Sequence, residues 1–441
     1  MQIEEIFLED YKCFKELSLK LDTQFNLIIG KNGSGKSAIL DAITKSLTAY
    51  FWGLNNDDLK PLTRGDIRIL KTKESVELAD VATIITKAYD SDIKKEFLWK
   101  MQIFSKKKAY NIKSANEIVS YAQGLNQQIK DENRKHNVSL PLIAFYSTAR
   151  LWKEGRKDYT EKKKQNSDSI NNVPSRYRGY KDSLQVTSNF TTFLEWFRGK
   201  EQARILKKED NFQLECVRKA VVKNIPGCAN IYWEFDPDIS DALMIQLKEG
   251  PPVPYSYLSD GYRNLLAMFA DIAWRSVTLN PHYKEEASEK TAGIVLIDEL
   301  DLHLHPAWQQ DIVQNLKTTF PKIQFIATTH SPFIIQEMED NEIIKLDNEE
   351  IIIINGANRL GIEDIAEDIQ DVDTPNMSKK RERMFVAAEK YYTLLEKAQS
   401  ESDKQKLQEL KDSLDEISEL YSDDVAYYAF LKQERIARGV K

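Results

Sequence analysis

Residues 25–37 read Phe25-Asn26-Leu27-Ile28-Ile29-Gly30-Lys31-Asn32-Gly33-Ser34-Gly35-Lys36-Ser37. The apolar run Phe25–Ile29 has the length of a buried strand and stops at a glycine. From Ser37 the pattern changes, and Ile39, Leu40, Ile43 and Leu47 recur at helical spacing on one face. Between strand and helix lies a complete G-x-x-x-x-G-K-[ST]. Its glycines let backbone N–H groups turn inward around phosphate oxygens, and the following helix aims its positive end at the same point. Gly30, Lys31, Asn32, Gly33, Ser34 and Gly35 are therefore expected to form a phosphate cradle. Lys36 is expected to reach the β- and γ-phosphates of a nucleotide, and Ser37 to ligate Mg²⁺.

Three later segments extend the pattern. Ile294-Val295-Leu296-Ile297 is four apolar residues ending in Asp298-Glu299. A buried parallel strand delivers such acids to its C-terminal edge, beside a phosphate loop. Asp298 then holds Mg²⁺ through water, and Glu299 orients the attacking water. A second apolar run, 323–327, is followed by Thr328-Thr329-His330-Ser331, which puts His330 where it can bond a γ-phosphate. Leu258-Ser259-Asp260-Gly261-Tyr262-Arg263 opens a helix over 264–277. Ser259 and Gly261 at a helix start make either an N-cap or a second anion-binding end. His303 and His305 read as structural groups rather than metal ligands. Arg150, just past the apolar strand Leu142–Tyr146, reads equally as a γ-phosphate sensor or as half of a structural ion pair.

The whole chain has 441 residues, 62 Lys plus Arg and 69 Asp plus Glu, a net charge of −7. That balance excludes a wholesale basic coat for nucleic acid but leaves room for a local patch. An apolar fraction of 41% supports a sizeable core. No apolar run approaches the ~18–20 residues of a membrane helix. Cys13, Cys216 and Cys228 are too few for a disulfide framework or a zinc site. The composition predicts a soluble, cytoplasmic protein with reduced thiols and no membrane attachment. Four stretches are distinguished: 1–150 with the phosphate loop, 151–257 with a basic insertion and a helical/β subdomain, 258–373 with the acid pair, and 374–441. Residues 153–181 carry nine Lys or Arg against four Asp or Glu, the composition of a solvated insertion that can also touch nucleic acid. In the tail, Met384, Ala388, Tyr391, Leu395 and Ala398, then Leu407, Leu410, Leu414, Ile417 and Leu420, predict two amphipathic helices. Tyr427, Tyr428, Phe430 and Leu431 follow Asp423-Asp424 as an aromatic cluster suited to an interaction surface.

The four motifs in this order resemble the ATP-binding-cassette ATPases of the SMC and RecF class. The resemblance implies an α/β fold: an ABC-type P-loop NTPase head with an added antiparallel β lobe, a helical subdomain and a C-terminal helical appendage. It makes 258–263 the signature motif, with Asp260 where a glycine is usual. In that class the signature serine and glycine contact the γ-phosphate held by the other subunit. Ser259 and Gly261 would thus act across a homodimer closed on its nucleotides, or within a higher oligomer. The stretch Asp298–Pro306 is similar to the soluble branch related to overcoming-lysogenization ATPases.

Leu258–Arg275, Trp308-Gln309, Phe320–Ile326, Thr329–Pro332, Pro141–Trp152 and the tail from Asp423 resemble the ATPase subunit of Septu-type antiphage systems, which also occurs as a retron effector component. That likeness implies an ATPase that is not itself a nuclease and that regulates a separate HNH-type nuclease in antiphage defence. The alternative is a RecF-like DNA-binding ATPase of repair or recombination. Asp371-Val372-Asp373 has the spelling of a nuclease acid pair, but only 68 residues follow it, and it reads as a solvated loop.

Overall fold

The apolar runs become strands of four sheets in the structure, a computed structural model. It describes residues 1–373 apart from 56–58, 72–75, 107–109, 112, 132–137, 152–174, 186–189, 237–240 and 348–349, and beyond 373 only isolated residues up to 412. The chain opens with β1 (Gln2–Tyr11), β2 (Phe14–Lys20), β3 (Phe25–Gly30) and α1 (Lys36–Gly53). Next come β4 (Ile69–Lys71), β5 (Val76–Leu78), β6 (Val81–Asp90), β7 (Lys95–Phe104), β8 (Tyr110–Asn111), α2 (Asn116–Lys130) and β9 (Leu142–Tyr146). A lobe of α3 (Phe190–Lys207), α4 (Phe212–Asn224), β10 (Cys228–Glu234), β11 (Ala242–Leu247) and β12 (Val253–Pro254) leads to the long α5 (Asp260–Leu279). The rest is α6 (Ala287–Lys290), β13 (Gly293–Ile297), α7 (Pro306–Thr319), β14 (Ile323–Thr328), α8 (Pro332–Gln336), β15 (Ile343–Asp347) and β16 (Glu350–Ile354).

The central sheet has the order β16-β15-β3-β14-β13-β9. It is parallel except for β16, which pairs antiparallel with β15. Strands β9, β13 and β14 are buried along their whole length, which is why they read as unbroken apolar runs rather than as alternation. Because β14 lies between β3 and β13, a residue of β14 stands between the phosphate loop and the acid pair. A second, antiparallel sheet has the order β2-β1-β6-β7-β8.

Helix α1 packs on α2, on β6 of the antiparallel sheet, and on β3, β13 and β14 of the central one. The one-sided helix expected from Ile39, Leu40, Ile43 and Leu47 is therefore buried on nearly every side. Its polar residues survive burial because each is bonded: Thr44 to the Leu40 carbonyl at 2.7 Å, Ser46 to Thr86 at 2.5 Å, Lys45 to Asp66.

The end of the basic stretch departs from expectation. Ser175–Tyr180 is a turn of 3-10 helix packed against α5, with Arg176, Tyr177 and Tyr180 buried. Arg176 donates to the carbonyls of Leu279 and Val138 and to Asn280. Here one cation, Arg176, serves the core, while Arg178 and Lys181 are exposed. Residues 152–174 and the Arg150 side chain lie outside the described residues.

The chain divides into two compact units, Met1–Ile362 and Glu363–Lys441. In the second, Ile365–Ile369 forms one turn of π-helix, and Asp371-Val372-Asp373 is irregular. Lys379, Glu382, Arg383, Val386 and Lys390 are helical, as are Lys406, Gln408, Glu409 and Asp412. The aromatic cluster at 427–431 lies outside the described residues. Among the described residues, no helix is long and apolar enough to cross a membrane.

Besides α1, a buried side chain ties the two large sheets together. Gln324 on β14 is fully buried; its Oε1 accepts the Ile3 N–H at 2.8 Å, and its Nε2 donates to the carbonyls of Ile3 and Asp22 at 2.8 and 2.7 Å. Replacing it with leucine strands the Ile3 N–H and carbonyl away from water, while the Asp22 carbonyl keeps its bond from Asn26 Nδ2 at 2.9 Å. Gln324→Leu should lower the unfolding free energy by roughly 2 kcal/mol, at about 1 kcal/mol or more for each of the two orphaned groups. Urea unfolding measures it, and a change within about 0.5 kcal/mol would show that the sheets are not held here.

Candidate active site

The phosphate loop leaves β3 through backbone that only glycine adopts freely. Gly30, Gly33 and Gly35 have φ values of 146°, 84° and 102°. At Gly35 space forbids a side chain as well: a Cβ would stand 2.3 Å from Phe14 Cζ and 2.9 Å from Cys13 Sγ. The turn between β1 and β2 is thus pressed against the loop. The Lys36 ammonium folds back and donates to the carbonyls of Gly30 and Lys31 at 2.8 and 3.0 Å. Burial pulls its pKa below the usual lysine range, while the Asp298 and Glu299 carboxylates push it back up. The Ser34 hydroxyl is buried with no hydrogen-bond partner among the described residues. A buried orphan hydroxyl inside a loop of inward-turned amides suits a phosphate oxygen.

The acid pair meets this loop at the ends of three strands. Ser37 at the start of α1 donates to Asp298 Oδ1 at 3.2 Å, and Thr328 at the end of β14 donates to the same oxygen at 2.7 Å. The Asp298 N–H is held by the Tyr146 carbonyl at 2.8 Å. Thr328 also accepts the Glu299 N–H at 2.8 Å. The chain then turns sharply, with Glu299 at φ 53°. A serine hydroxyl and a carboxylate on one point form the oxygen set that a hard divalent cation takes. Asp301 lies in the same turn. It accepts Thr329 Oγ1 at 2.5 Å and the His330 N–H at 3.3 Å, fixing the backbone of the histidine while the residue stays exposed.

Sequence reasoning missed a second layer beneath the loop. Asp41 on α1 accepts Tyr11 at 2.8 Å and pairs with Lys12, Lys45 and Lys60. Burial pushes its carboxyl up, but Lys45, Lys60 and Lys12 outweigh that and hold it far below the usual carboxylate range. Asp66 pairs with Lys45 and closes the turn at Thr63. The i,i+4 spacing of Asp41 and Lys45 was a readable signal; their convergence with Lys12 and Lys60 was not.

Ser259 and Gly261 open α5 away from these strand ends in sequence, against the turn that follows Glu299. Ser259 caps the helix, accepting the Tyr262 N–H at 3.5 Å. A Cβ on Gly261 would lie 2.3 Å from the His303 carbonyl oxygen, so close approach of two backbones demands glycine here. Asn264 donates to the Leu302 carbonyl at 2.8 Å. Asp260, in place of the usual glycine, forms an ion pair with Arg263 that keeps its carboxyl below the ordinary range. Tyr262 meets Trp308 edge-on at 5.0 Å, beside an open pocket of about 620 Å³ lined by Ser259, Gly261, His303, His305 and Trp308. His305 caps α7, its Nδ1 accepting the Ala307 N–H at 3.3 Å.

Comparison with known proteins follows the same lines. The retron Vc95 probable ATPase of Vibrio cholerae serotype O1 biovar El Tor is 28% identical over 396 residues, covering 79% of this chain and 74% of that protein. The Septu protein PtuA of Bacillus thuringiensis is 30% identical over 247 residues, 51% of this chain and 57% of that protein. Among solved structures, an SMC head bound to the C-winged helix domain of ScpA overlays with a TM-score of 0.48 at 16% identity, covering 82% of this chain and 100% of that one. The family model described as the RecF/RecN/SMC N-terminal domain matches residues 2–353. The class expected from the four motifs is the class found, and the chain belongs to the RecF/RecN/SMC N-terminal domain family.

Proposed function

We propose that the chain is an Mg²⁺-dependent ATPase that closes as a dimer on its nucleotides and controls a partner nuclease in antiphage defence. One observation carries the chemistry: Ser37, Asp298 and Thr328 converge at the ends of α1, β13 and β14, directly behind a glycine loop shaped for phosphate. The relatives named as a retron probable ATPase and a Septu protein supply the setting. The Septu likeness implies an HNH-type nuclease as the separate partner.

In this reading Lys36 leaves the Gly30 and Lys31 carbonyls for the β- and γ-phosphate oxygens. Ser37 and Asp298 hold Mg²⁺, which when bound offsets charge on those phosphates. Glu299 orients the attacking water and takes its proton as the new bond to the γ-phosphorus forms and the bond to the bridging oxygen of the leaving ADP breaks. His330 donates to the γ-phosphate. Ser259 and the N–H groups opening α5 bind the γ-phosphate held by the partner subunit. Arg263 neutralises Asp260 at that end, so a salt-bridged pair rather than a bare acid faces the anion.

Glu299→Gln should keep ATP binding and slow turnover about 100-fold or more, leaving an ATP-held dimer visible by light scattering. Turnover at the wild-type rate would remove Glu299 from this role. Lys36→Ala should instead lose nucleotide affinity. Mixing Lys36→Ala with Ser259→Arg chains should restore one intact composite site per mixed dimer; proven mixed dimers without activity would rule out action across the interface. A chain ending at Asp373 should keep its ATPase activity and fail to pull down the nuclease. Unchanged pull-down by a folded truncation would place the docking site elsewhere.

A further inference from the structure

Strand β14 ends in a residue that the four motifs leave without a role. With Ala327 opposite Ile297, the parallel register carries Thr328 level with Asp298, and on the other side Thr328 stands opposite Ile28 of β3. Thr328 is 1% exposed and closes a strand whose other members, apart from Gln324, are apolar. Valine fills the same volume without desolvating a hydroxyl, so packing alone does not call for threonine here.

Both bonds of the hydroxyl go to the acid pair. It donates to Asp298 Oδ1 at 2.7 Å and accepts the Glu299 N–H at 2.8 Å, while the Thr328 carbonyl accepts the Leu300 N–H at 2.8 Å. Residues 298, 299 and 300 are thus all bonded to one residue. Among them Glu299 is held at φ 53°, a left-handed conformation that a long side chain rarely takes unaided. Asp298 Oδ1 also accepts the Ser37 hydroxyl at 3.2 Å. A carboxylate oxygen offers about two acceptor positions. With Ser37 and Thr328 in place, Oδ1 has none left for a direct bond to a cation. That suits Mg²⁺, which gives up its water reluctantly, better than Mn²⁺, which loses water more readily and gains from a bare carboxylate oxygen.

We infer that Thr328 is the positioning residue of the acid pair: through one hydroxyl it keeps Asp298 Oδ1 from direct metal contact and fixes the backbone from which Glu299 works. The inference rests on the ATPase reading above and adds to it a residue that sets which cation serves best.

The test compares the wild-type chain with Thr328→Val, which keeps the shape and removes the hydroxyl, and Thr328→Ser, which keeps the hydroxyl. Thr44→Val is the control: the buried Thr44 hydroxyl bonds the Leu40 carbonyl within α1, so it reports the loss of a threonine hydroxyl alone. Two quantities are read. One is the Mg²⁺ or Mn²⁺ concentration that half-saturates binding of a fluorescent non-hydrolysable ATP analogue; the other is ATP turnover with each ion. Thr328→Val should raise the half-saturating Mg²⁺ concentration, relative to that of Mn²⁺, about 10-fold. It should also lower kcat in saturating Mg²⁺ about 10- to 100-fold, with KM for ATP within about twofold. Thr328→Ser should bring both readings back to within about threefold of wild type. Thr44→Val should lower the melting temperature and move neither reading. Wild-type kcat in Thr328→Val, an unshifted ratio of the two ions, or a Thr328→Ser chain as impaired as Thr328→Val overturns the role of the hydroxyl. A wild-type chain that neither binds the analogue nor turns over ATP overturns the ATPase reading instead, before any variant is compared.

Discussion

A buried carboxylate needs hydrogen-bond donors around it, and Asp298, 8% exposed, finds them in hydroxyls from two different elements. Ser37 arrives on α1 and Thr328 on β14, while Asp298 itself ends β13. The strand order β3-β14-β13 follows from what this oxygen needs: β14 must lie between the loop-bearing strand and the acid-bearing strand for Thr328 to reach. The same threonine holds the Glu299 N–H, so a single hydroxyl fixes both acids.

The site is assembled on a frame that allows little local give. Helix α1 sits between the two large sheets, and Gln324 clips those sheets to each other. Phe14 and Cys13 press on Gly35 from the antiparallel sheet, so the shape of the phosphate loop depends on the β1–β2 turn as much as on its own glycines. Below it the cluster of Asp41, Asp66, Lys45, Lys12 and Lys60 ties that turn to α1.

Local signals were legible because their physics is local. Gly30–Ser37 announces a loop by spacing alone, and buried parallel strands announce themselves by unbroken apolar runs. The acids at 298–299 and the histidine at 330 follow such strands and were readable for that reason. Partners brought together from distant segments were not readable. Nothing in the spelling of Leu258–Arg263 tells that Gly261 must admit the His303 carbonyl, or that Asn264 will find Leu302. Arg176 looked like one more cation in a basic stretch, yet it is buried against Leu279 and Val138. Charge counts describe composition, and burial depends on topology. Gln324 likewise passed as an ordinary member of an apolar strand, although its amide satisfies three backbone groups of another segment.

Lys36 spans its own loop, bonded to the carbonyls of Gly30 and Lys31. The loop therefore carries an internal counter-ligand: its cation is occupied by carbonyl dipoles rather than held out to solvent. An entering anion must exchange these two contacts for its own, and a weak or singly charged one gains little by the exchange. Polyphosphate, with oxygens spaced to meet the ammonium and the backbone amides together, gains most. A bias against simple anions thus follows from the conformation of one side chain.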